Sequence, residues 1–146
     1  MVRTGLLIKE RSRSRPEGSL VAHLLEHTDA ITGLAVSPDN MFFVSASRDG
    51  SVKVWDTFRL EKNVTSRSRH TINQGGQITA VCMVEGSHCV ASASDTGTLW
   101  VHRIDVSTSL SMPRYSKPEL VRQYLVEPSG DFITTLRSAE SGQSCR

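Results

Sequence analysis

The chain has 146 residues, of which 38% are hydrophobic and 22% are charged, and its formal net charge is +2. This composition is typical of a soluble globular protein, and the charge excess is too small to indicate a partner made of nucleic acid. The apolar patch at residues 6–8 is too short for a signal peptide, and no run approaches the ~18 apolar residues of a membrane span.

A first structural unit is predicted after a basic N-terminal segment. Residues 1–18, in which arginine alternates with serine, are expected to be disordered or extended. Residues 19–69 then alternate between strand-like runs and the turn sequences SPDN and RDG, and they end in an Arg/Ser-rich outer loop. The strand candidates of this unit are residues 20–27, 31–36, 41–47 and 51–55.

The remaining chain divides into three predicted parts. Residues 70–105 are a second, degenerate unit, and the Ser/Pro-rich residues 106–118 are a linker. Residues 119–146 are the start of a truncated third unit, although its first residues also have a weak helical pattern. The strand candidates of these parts are residues 78–84, 89–93, 99–104, 120–126 and 132–136.

The first two units are copies of one pattern. ITGLAV at 31–36 matches ITAVCM at 78–83, SAS at 45 matches SAS at 92, and Gly50 matches Gly97, each after 47 residues. Periods of this length are typical of propeller or solenoid arrays, and the absence of a 3.6-residue period argues against a helical solenoid. The sequence therefore predicts two antiparallel sheets, packed face to face as neighbouring units.

Polar residues at the ends of the first unit predict a buried hydrogen-bond chain. One ring nitrogen of His27 can donate to the Asp49 carboxylate, and the other can meet the hydroxyl of Ser47 or Ser45. That hydroxyl can in turn meet the indole N–H of Trp55. These four positions, with Ser47 preferred, are the predicted structural site.

The second unit departs from this pattern. The position 47 residues after His27 is Gln74, and the position 47 residues after Trp55 is His102. We therefore expect this unit to lack the hydrogen-bond chain and to be held by apolar packing alone.

Catalytic and metal-binding sites find little support in the residue pattern. Ser47, His27 and Asp49 have the residue types of a hydrolase triad, but no GxSxG turn accompanies them, so a structural role is favoured. Cys82, Cys89 and Cys145 are odd in number and have no CxxC spacing, which argues against a disulfide framework and a zinc site and favours a reducing compartment. No catalytic residue, metal or cofactor is predicted.

The motifs of the first unit resemble a WD40 repeat. The pair Glu26–His27, the SASRDG turn and VKVWD at 52–56 carry the resemblance, with Glu26 in place of the usual glycine. The resemblance implies an all-β partial β-propeller with about two four-stranded antiparallel blades and the start of a third. It also implies a non-catalytic scaffold for protein–protein interaction.

Longer segments are similar to a narrower family, the large regulatory subunits of class III phosphatidylinositol 3-kinase complexes, over about residues 15–137. RPEGSLVAHLLEHTDAI, MFFVSASRDGSVKVWDTFRLEKNVTSRSRHT and EGSHCVASASDTGTLWV carry this resemblance. No GxGxxG, HRD or DFG element is present, so a serine/threonine kinase label would be inherited from a longer parent protein. A generic WD40 adaptor with unrelated partners is the alternative.

This second resemblance implies partners and a location. The expected partners are a lipid kinase catalytic subunit and a coiled-coil adaptor, with membrane association only through the complex. The expected location is cytoplasmic, at endosomal, vacuolar or autophagic membranes. We also expect the chain to be a fragment of a longer gene product, and marginally stable alone, because the end blades of an incomplete propeller expose apolar faces and strand edges.

Overall fold

The computed structural model describes residues 4–10, 17–125 and 136–137, so most of the predicted strand at 132–136 and the cysteine at position 145 lie outside the described residues. The elements in chain order are β1 (Thr4–Glu10), β2 (Glu17–Leu24), β3 (Ile31–Val36), β4 (Phe42–Ser47), β5 (Ser51–Asp56), α1 (Thr57–Glu61), β6 (His70–Asn73), β7 (Ile78–Met83), β8 (Cys89–Ser94), β9 (Thr98–Arg103), β10 (Val106–Ser107), β11 (Arg114–Tyr115) and β12 (Glu119–Leu125).

Two four-stranded sheets contain most of the described chain. Their strand orders are β3-β4-β5-β6 and β12-β9-β8-β7, and every pairing is antiparallel. Two further hairpins pair β1 with β2 and β10 with β11. The predicted all-β fold with four-stranded antiparallel blades is therefore confirmed.

The strands that complete each sheet differ from the prediction. β6, predicted to open the second unit, is the fourth strand of the first sheet, and β12, predicted to open a third unit, is the fourth strand of the second sheet. β2, predicted to belong to the first unit, pairs with β1 instead. The boundaries at 69/70 and 118/119 are therefore wrong as sheet boundaries, because the sequence period runs from motif to motif and cannot show which strand closes a sheet.

Tight turns recur at equivalent positions of the two sheets. Gly50 (φ 88°) and Gly97 (φ 84°) end the β4–β5 and β8–β9 turns in the left-handed region, which glycine adopts without steric cost. A side chain at Gly50 would also meet the carbonyl oxygen of Gly76 at 2.9 Å. The loops at this end of the two sheets are therefore in close contact.

The two sheets pack face to face, as the sequence predicted. Gly33 of β3 lies so close to β7 that a Cβ atom there would stand 2.9 Å from Val81 Cγ1. Burial of each large apolar side chain in this seam contributes about 1.5–3 kcal/mol. The buried core of the seam consists of Phe42, Val44, Ala46, Val52, Val54, Ile72, Ile78, Val90 and Ile104.

A smaller apolar cluster covers the other face of the first sheet. Leu24, the last residue of β2, packs on this face with Phe43, Trp55 and Leu60. The Phe43 and Trp55 rings are stacked with their centroids 6.3 Å apart.

In the described part of the chain, no helix has the length and apolar character needed to cross a membrane.

Candidate functional site

A buried polar network joins the loop before β3 to the β4–β5 turn and to strands β4 and β5 of the first sheet. His27 Nδ1 donates to Asp49 Oδ2 at 2.9 Å, and His27 Nε2 lies 2.7 Å from Ser45 Oγ. Trp55 Nε1 donates to the same hydroxyl at 2.8 Å. Because Ser45 accepts from the indole, its O–H is free to donate to a neutral imidazole protonated at Nδ1. The structure thus brings together His27, Asp49 and Trp55.

The serine in this network is Ser45 and not Ser47. The Ser47 hydroxyl donates to the Asp29 carbonyl and accepts from the Asp49 N–H, so it holds the turn and does not contact His27. Both serines point to the same face of β4, and the choice between them depends on where the imidazole lies. The preference for Ser47 is therefore wrong. The sequence alone could not show which of the two serines contacts His27.

Ser51 is a network member that sequence reasoning missed. Its hydroxyl donates to Asp49 Oδ1 at 2.6 Å and lies 3.2 Å from His27 Nδ1. The Ser51 N–H also donates to Asp49 Oδ1 at 2.9 Å, so the carboxylate caps its own turn. The signal available in the sequence was the serine two residues after an aspartate in a glycine turn, a common side-chain-to-backbone turn motif.

The Asp49 carboxylate is the electrostatic centre of the network. Its partial burial opposes ionisation, but hydrogen bonds from Ser51, His27 and the Thr28 N–H outweigh burial and lower the pKa of Asp49 to about 2. The ionised carboxylate therefore accepts every hydrogen bond offered to it at neutral pH.

The second sheet has its own polar network, contrary to the prediction of apolar packing alone. Gln74, only 6% exposed, accepts through Oε1 from Ser92 Oγ at 2.7 Å. Its Nε2 donates to the Ser92 carbonyl at 3.2 Å and to Thr98 Oγ1 at 3.1 Å. An amide, which both donates and accepts, therefore replaces the imidazole at the equivalent position.

Around the position equivalent to Trp55, buried ring nitrogens lack hydrogen-bond partners within the described chain. Among the described residues, His102 Nδ1 and Trp100 Nε1 are buried without a hydrogen-bond partner, and the two rings are tilted with centroids 5.7 Å apart. Burial lowers the pKa of His102. The network of the second sheet therefore reaches β9 at Thr98 and includes neither His102 Nδ1 nor Trp100 Nε1.

A second set of contacts ties the 106–118 segment to the first sheet, so this segment is not a free linker. Tyr115 Oη donates to the Met41 carbonyl at 3.1 Å and lies 3.2 Å from Asp56 Oδ1. His70 Nε2 donates to the Tyr115 carbonyl at 2.9 Å. Burial, followed by the negative charge of Asp56, raises the pKa of Tyr115. The β10–β11 hairpin therefore clamps the two sheets together.

Glu26, which stands where the WD40 resemblance has glycine, holds the Arg/Ser-rich loop. Its carboxylate accepts from the Ser68 N–H at 2.8 Å and from the Ser68 hydroxyl at 2.6 Å, and it lies 3.4 Å from Lys53 Nζ. Burial opposes ionisation here, but the bonds from Ser68 and Lys53 outweigh it and lower the pKa of Glu26.

These polar groups have a structural role. Ser45, whose hydroxyl contacts His27 Nε2 and Trp55 Nε1, is completely buried, so a substrate has no access to it. The described residues contain no group of three or more His, Cys, Asp or Glu side chains placed to hold a metal ion.

A groove of about 440 Å³ lies between β2 and the loop after α1. Its lining residues are Leu20, Ala22, His23, Leu60, Asn63, Val64, Thr65 and Ser66.

Comparison with known proteins agrees with the sheet geometry. The family model described as "WD domain, G-beta repeat" matches residues 18–56. The chain is 49% identical over 94 residues, 64% of its length, to a probable serine/threonine-protein kinase vps15 of Dictyostelium discoideum, of which it covers 5%. It is 42% identical over 92 residues, 62% of its length, to serine/threonine-protein kinase VPS15 of Arabidopsis thaliana, of which it covers 6%. It is 30% identical over 128 residues, 83% of its length, to a putative serine/threonine-protein kinase VPS15 of Komagataella pastoris, of which it covers 9%.

The chain thus spans less than a tenth of each of these relatives, and the similarity lies in their WD-repeat region. The WD40 repeat is a non-catalytic scaffold fold, so the kinase in the relatives' names is not carried by the residues that match. Residues 18–56 match the WD40 repeat, the sheets have the all-β architecture of a partial WD40 β-propeller, and the chain is similar to the WD-repeat region of the Vps15 proteins.

Proposed function

We propose that the chain is a protein-interaction scaffold within the WD40 propeller of a class III phosphatidylinositol 3-kinase regulatory subunit. The observation that carries this proposal is the similarity of the repeat region to Vps15 proteins, at 49% and 42% identity in two distant organisms. The process that follows from the proposal is endosomal and vacuolar sorting and autophagy.

The internal chemistry of the two sheets supports a scaffold. The network of His27 and the network of Gln74 both use their polar groups to hold turns and strands together. Function therefore falls to the exposed loops and rims, where binding residues are most often found on rigid scaffolds.

The proposed partners are the lipid kinase catalytic subunit and the coiled-coil adaptor, and the proposed location is the cytoplasmic face of endosomal, vacuolar or autophagic membranes. The test is co-purification of the chain-bearing protein with these two partners. A variant that disrupts the first sheet, His27→Ala with Asp49→Ala, is compared with Arg48→Ala, which changes an exposed residue of the same turn. We expect the double variant to lose both partners and the control to keep them, whereas full assembly of the double variant contradicts the proposal.

A generic WD40 adaptor with unrelated partners is the second candidate. It is favoured by the family match, which is to a repeat shared by WD40 proteins in general and covers residues 18–56 only. In the same experiment this candidate predicts that neither the lipid kinase subunit nor the coiled-coil adaptor is retained by the wild-type protein.

A further inference from the structure

Two loops leave the same end of the paired sheets. Residues 57–69 follow β5, and residues 104–118 follow β9, which is the equivalent strand of the second sheet. Tyr115 of the second loop contacts Asp56, the last residue of β5 before the first loop. The bases of the two loops are therefore adjacent, and the clamp at Tyr115 fixes the position of the second loop.

Both loops present cations that are free of carboxylate partners. Lys62, Arg67, Arg114 and Lys117 are exposed, and none of them forms an ion pair with another described residue. The segment from 106 to 118 contains no aspartate or glutamate.

The carboxylates near the loops are mostly neutralised by other partners. Asp56 pairs with Arg59, and Asp105 and Glu119, which flank the second loop, both pair with Arg103. Glu61 is the remaining exposed carboxylate of the first loop. The two loops together therefore carry a clear excess of positive charge.

The same loops expose apolar side chains at their tips. Leu110 is 55% exposed, Met112 is 37% exposed and Val64 is 47% exposed. Aliphatic side chains surrounded by free cations are typical of surfaces that bind the interface of an anionic membrane, where the side chains enter the acyl boundary and the cations meet the headgroups.

The opposite end of the sheets has a different character. Its turns carry the carboxylates of Asp29, Asp49 and Asp95, with Arg48 as an exposed cation among them. The excess of positive charge is thus found at one end only of the described sheets.

We propose that the two loops, residues 57–69 and 104–118, form a binding surface for bilayers that contain anionic lipids. A nucleic acid is disfavoured, because single-stranded binders use exposed aromatic platforms and the loop aromatics, Phe58 and Tyr115, are partly buried. This direct contact goes beyond the expectation that membrane association runs only through a complex, and it does not depend on the proposed function.

The experiment measures co-sedimentation of the full chain with vesicles that contain phosphatidylserine and with vesicles of phosphatidylcholine alone. We expect binding to the first kind only, and its loss at high salt. Arg114→Ala with Lys117→Ala is expected to weaken binding roughly 25-fold, since each cation near an anionic surface contributes about fivefold. Leu110→Ser with Met112→Ser is expected to weaken it at least about tenfold.

Two matched controls change residues away from the loops. Arg48→Ala removes an exposed cation at the opposite end, and Leu34→Ser removes an aliphatic side chain that is 53% exposed on β3. Both are expected to bind as the wild-type chain does. Circular dichroism of every variant separates loss of binding from loss of folding.

Insertion is tested directly with Leu110→Trp. Its fluorescence is expected to be quenched by brominated acyl chains in phosphatidylserine vesicles. The proposal is overturned if binding does not require phosphatidylserine, if the loop variants bind as the controls do, or if the chain captures nucleic acid or a protein but no vesicle.

Discussion

Gln74 occupies in the second sheet the position that His27 occupies in the first, and both side chains are buried and reach the equivalent serine of the neighbouring strand. His27 meets Ser45 at 2.7 Å, and Gln74 meets Ser92 at 2.7 Å. Each member of the second pair lies 47 positions after its counterpart in the first pair. An imidazole and an amide thus perform one structural task, because each offers a donor and an acceptor on the same side chain.

This equivalence predicts the ranking of substitutions at position 27. His27→Ala removes one hydrogen-bond donor from the Asp49 carboxylate and leaves the buried Ser45 O–H without its acceptor. We therefore expect a loss of about 1–3 kcal/mol in the free energy of unfolding. His27→Gln retains a donor and an acceptor and is expected to lose less than half of that. Urea unfolding of the full chain measures both values, and equal losses contradict the equivalence.

The pKa of Asp49 predicts acid sensitivity of the first sheet. Because this pKa is about 2 in the folded chain against an ordinary value of 3.8, the folded state binds fewer protons than the unfolded state. Its contribution of about 2 kcal/mol is therefore complete above about pH 4 and is lost as the pH falls toward 2.

Asp49→Asn tests this dependence. The variant is expected to be less stable at neutral pH, and its free energy of unfolding should fall less steeply than that of the wild-type chain between pH 4 and pH 2. Asp105→Asn, at a carboxylate whose side chain is 57% exposed, serves as the control and should keep the wild-type slope. Parallel pH profiles for Asp49→Asn and the wild-type chain would speak against the assigned role.

The clamp at Tyr115 predicts a local effect of removing one hydroxyl. Tyr115→Phe abolishes the hydrogen bonds to the Met41 carbonyl and Asp56, and we expect a loss of about 1–2 kcal/mol in the free energy of unfolding. Amide hydrogen exchange of Ser116, whose N–H donates to the Asp105 carbonyl, should become faster.

Tyr124→Phe is the matched control for the clamp, because Tyr124 is 49% exposed on β12. It is expected to leave both the stability and the exchange at Ser116 unchanged. An identical response of the two variants means that Tyr115 does not hold the hairpin.

The contact between Glu26 and Ser68 is expected to restrain the Arg/Ser-rich loop. Glu26→Gly introduces the residue that is usual in WD40 repeats and removes the acceptor for both Ser68 groups. We expect trypsin to cleave after Arg67 roughly threefold to tenfold faster, since opening of a loop that loses about 1 kcal/mol of hydrogen bonding becomes more frequent.

Ser68→Ala should act in the same direction but more weakly, because its N–H can still donate to Glu26. Glu61→Ala changes a nearby exposed carboxylate and is expected to leave the rate of cleavage unaltered. If Glu26→Gly is cleaved no faster than this control, the contact with Ser68 does not restrain the loop.

Several features followed from the sequence by itself. The strands β3, β4, β5, β7, β8 and β9, their glycine turns and the 47-residue period were predictable, because strand alternation and turn chemistry depend on residues close together in the chain. The His27–Asp49 pair was also predictable, since both residues lie in loops at the ends of recognisable strands.

Only the tertiary structure decided which strand closes each sheet, which serine meets His27, that Gln74 is a partner of Ser92, and that Tyr115 reaches Asp56. These contacts join residues that are 18 to 59 positions apart or pair strands across long loops. Their formation depends on how the chain returns to itself in space, and a local pattern of residue types carries no information on the distance between two such groups.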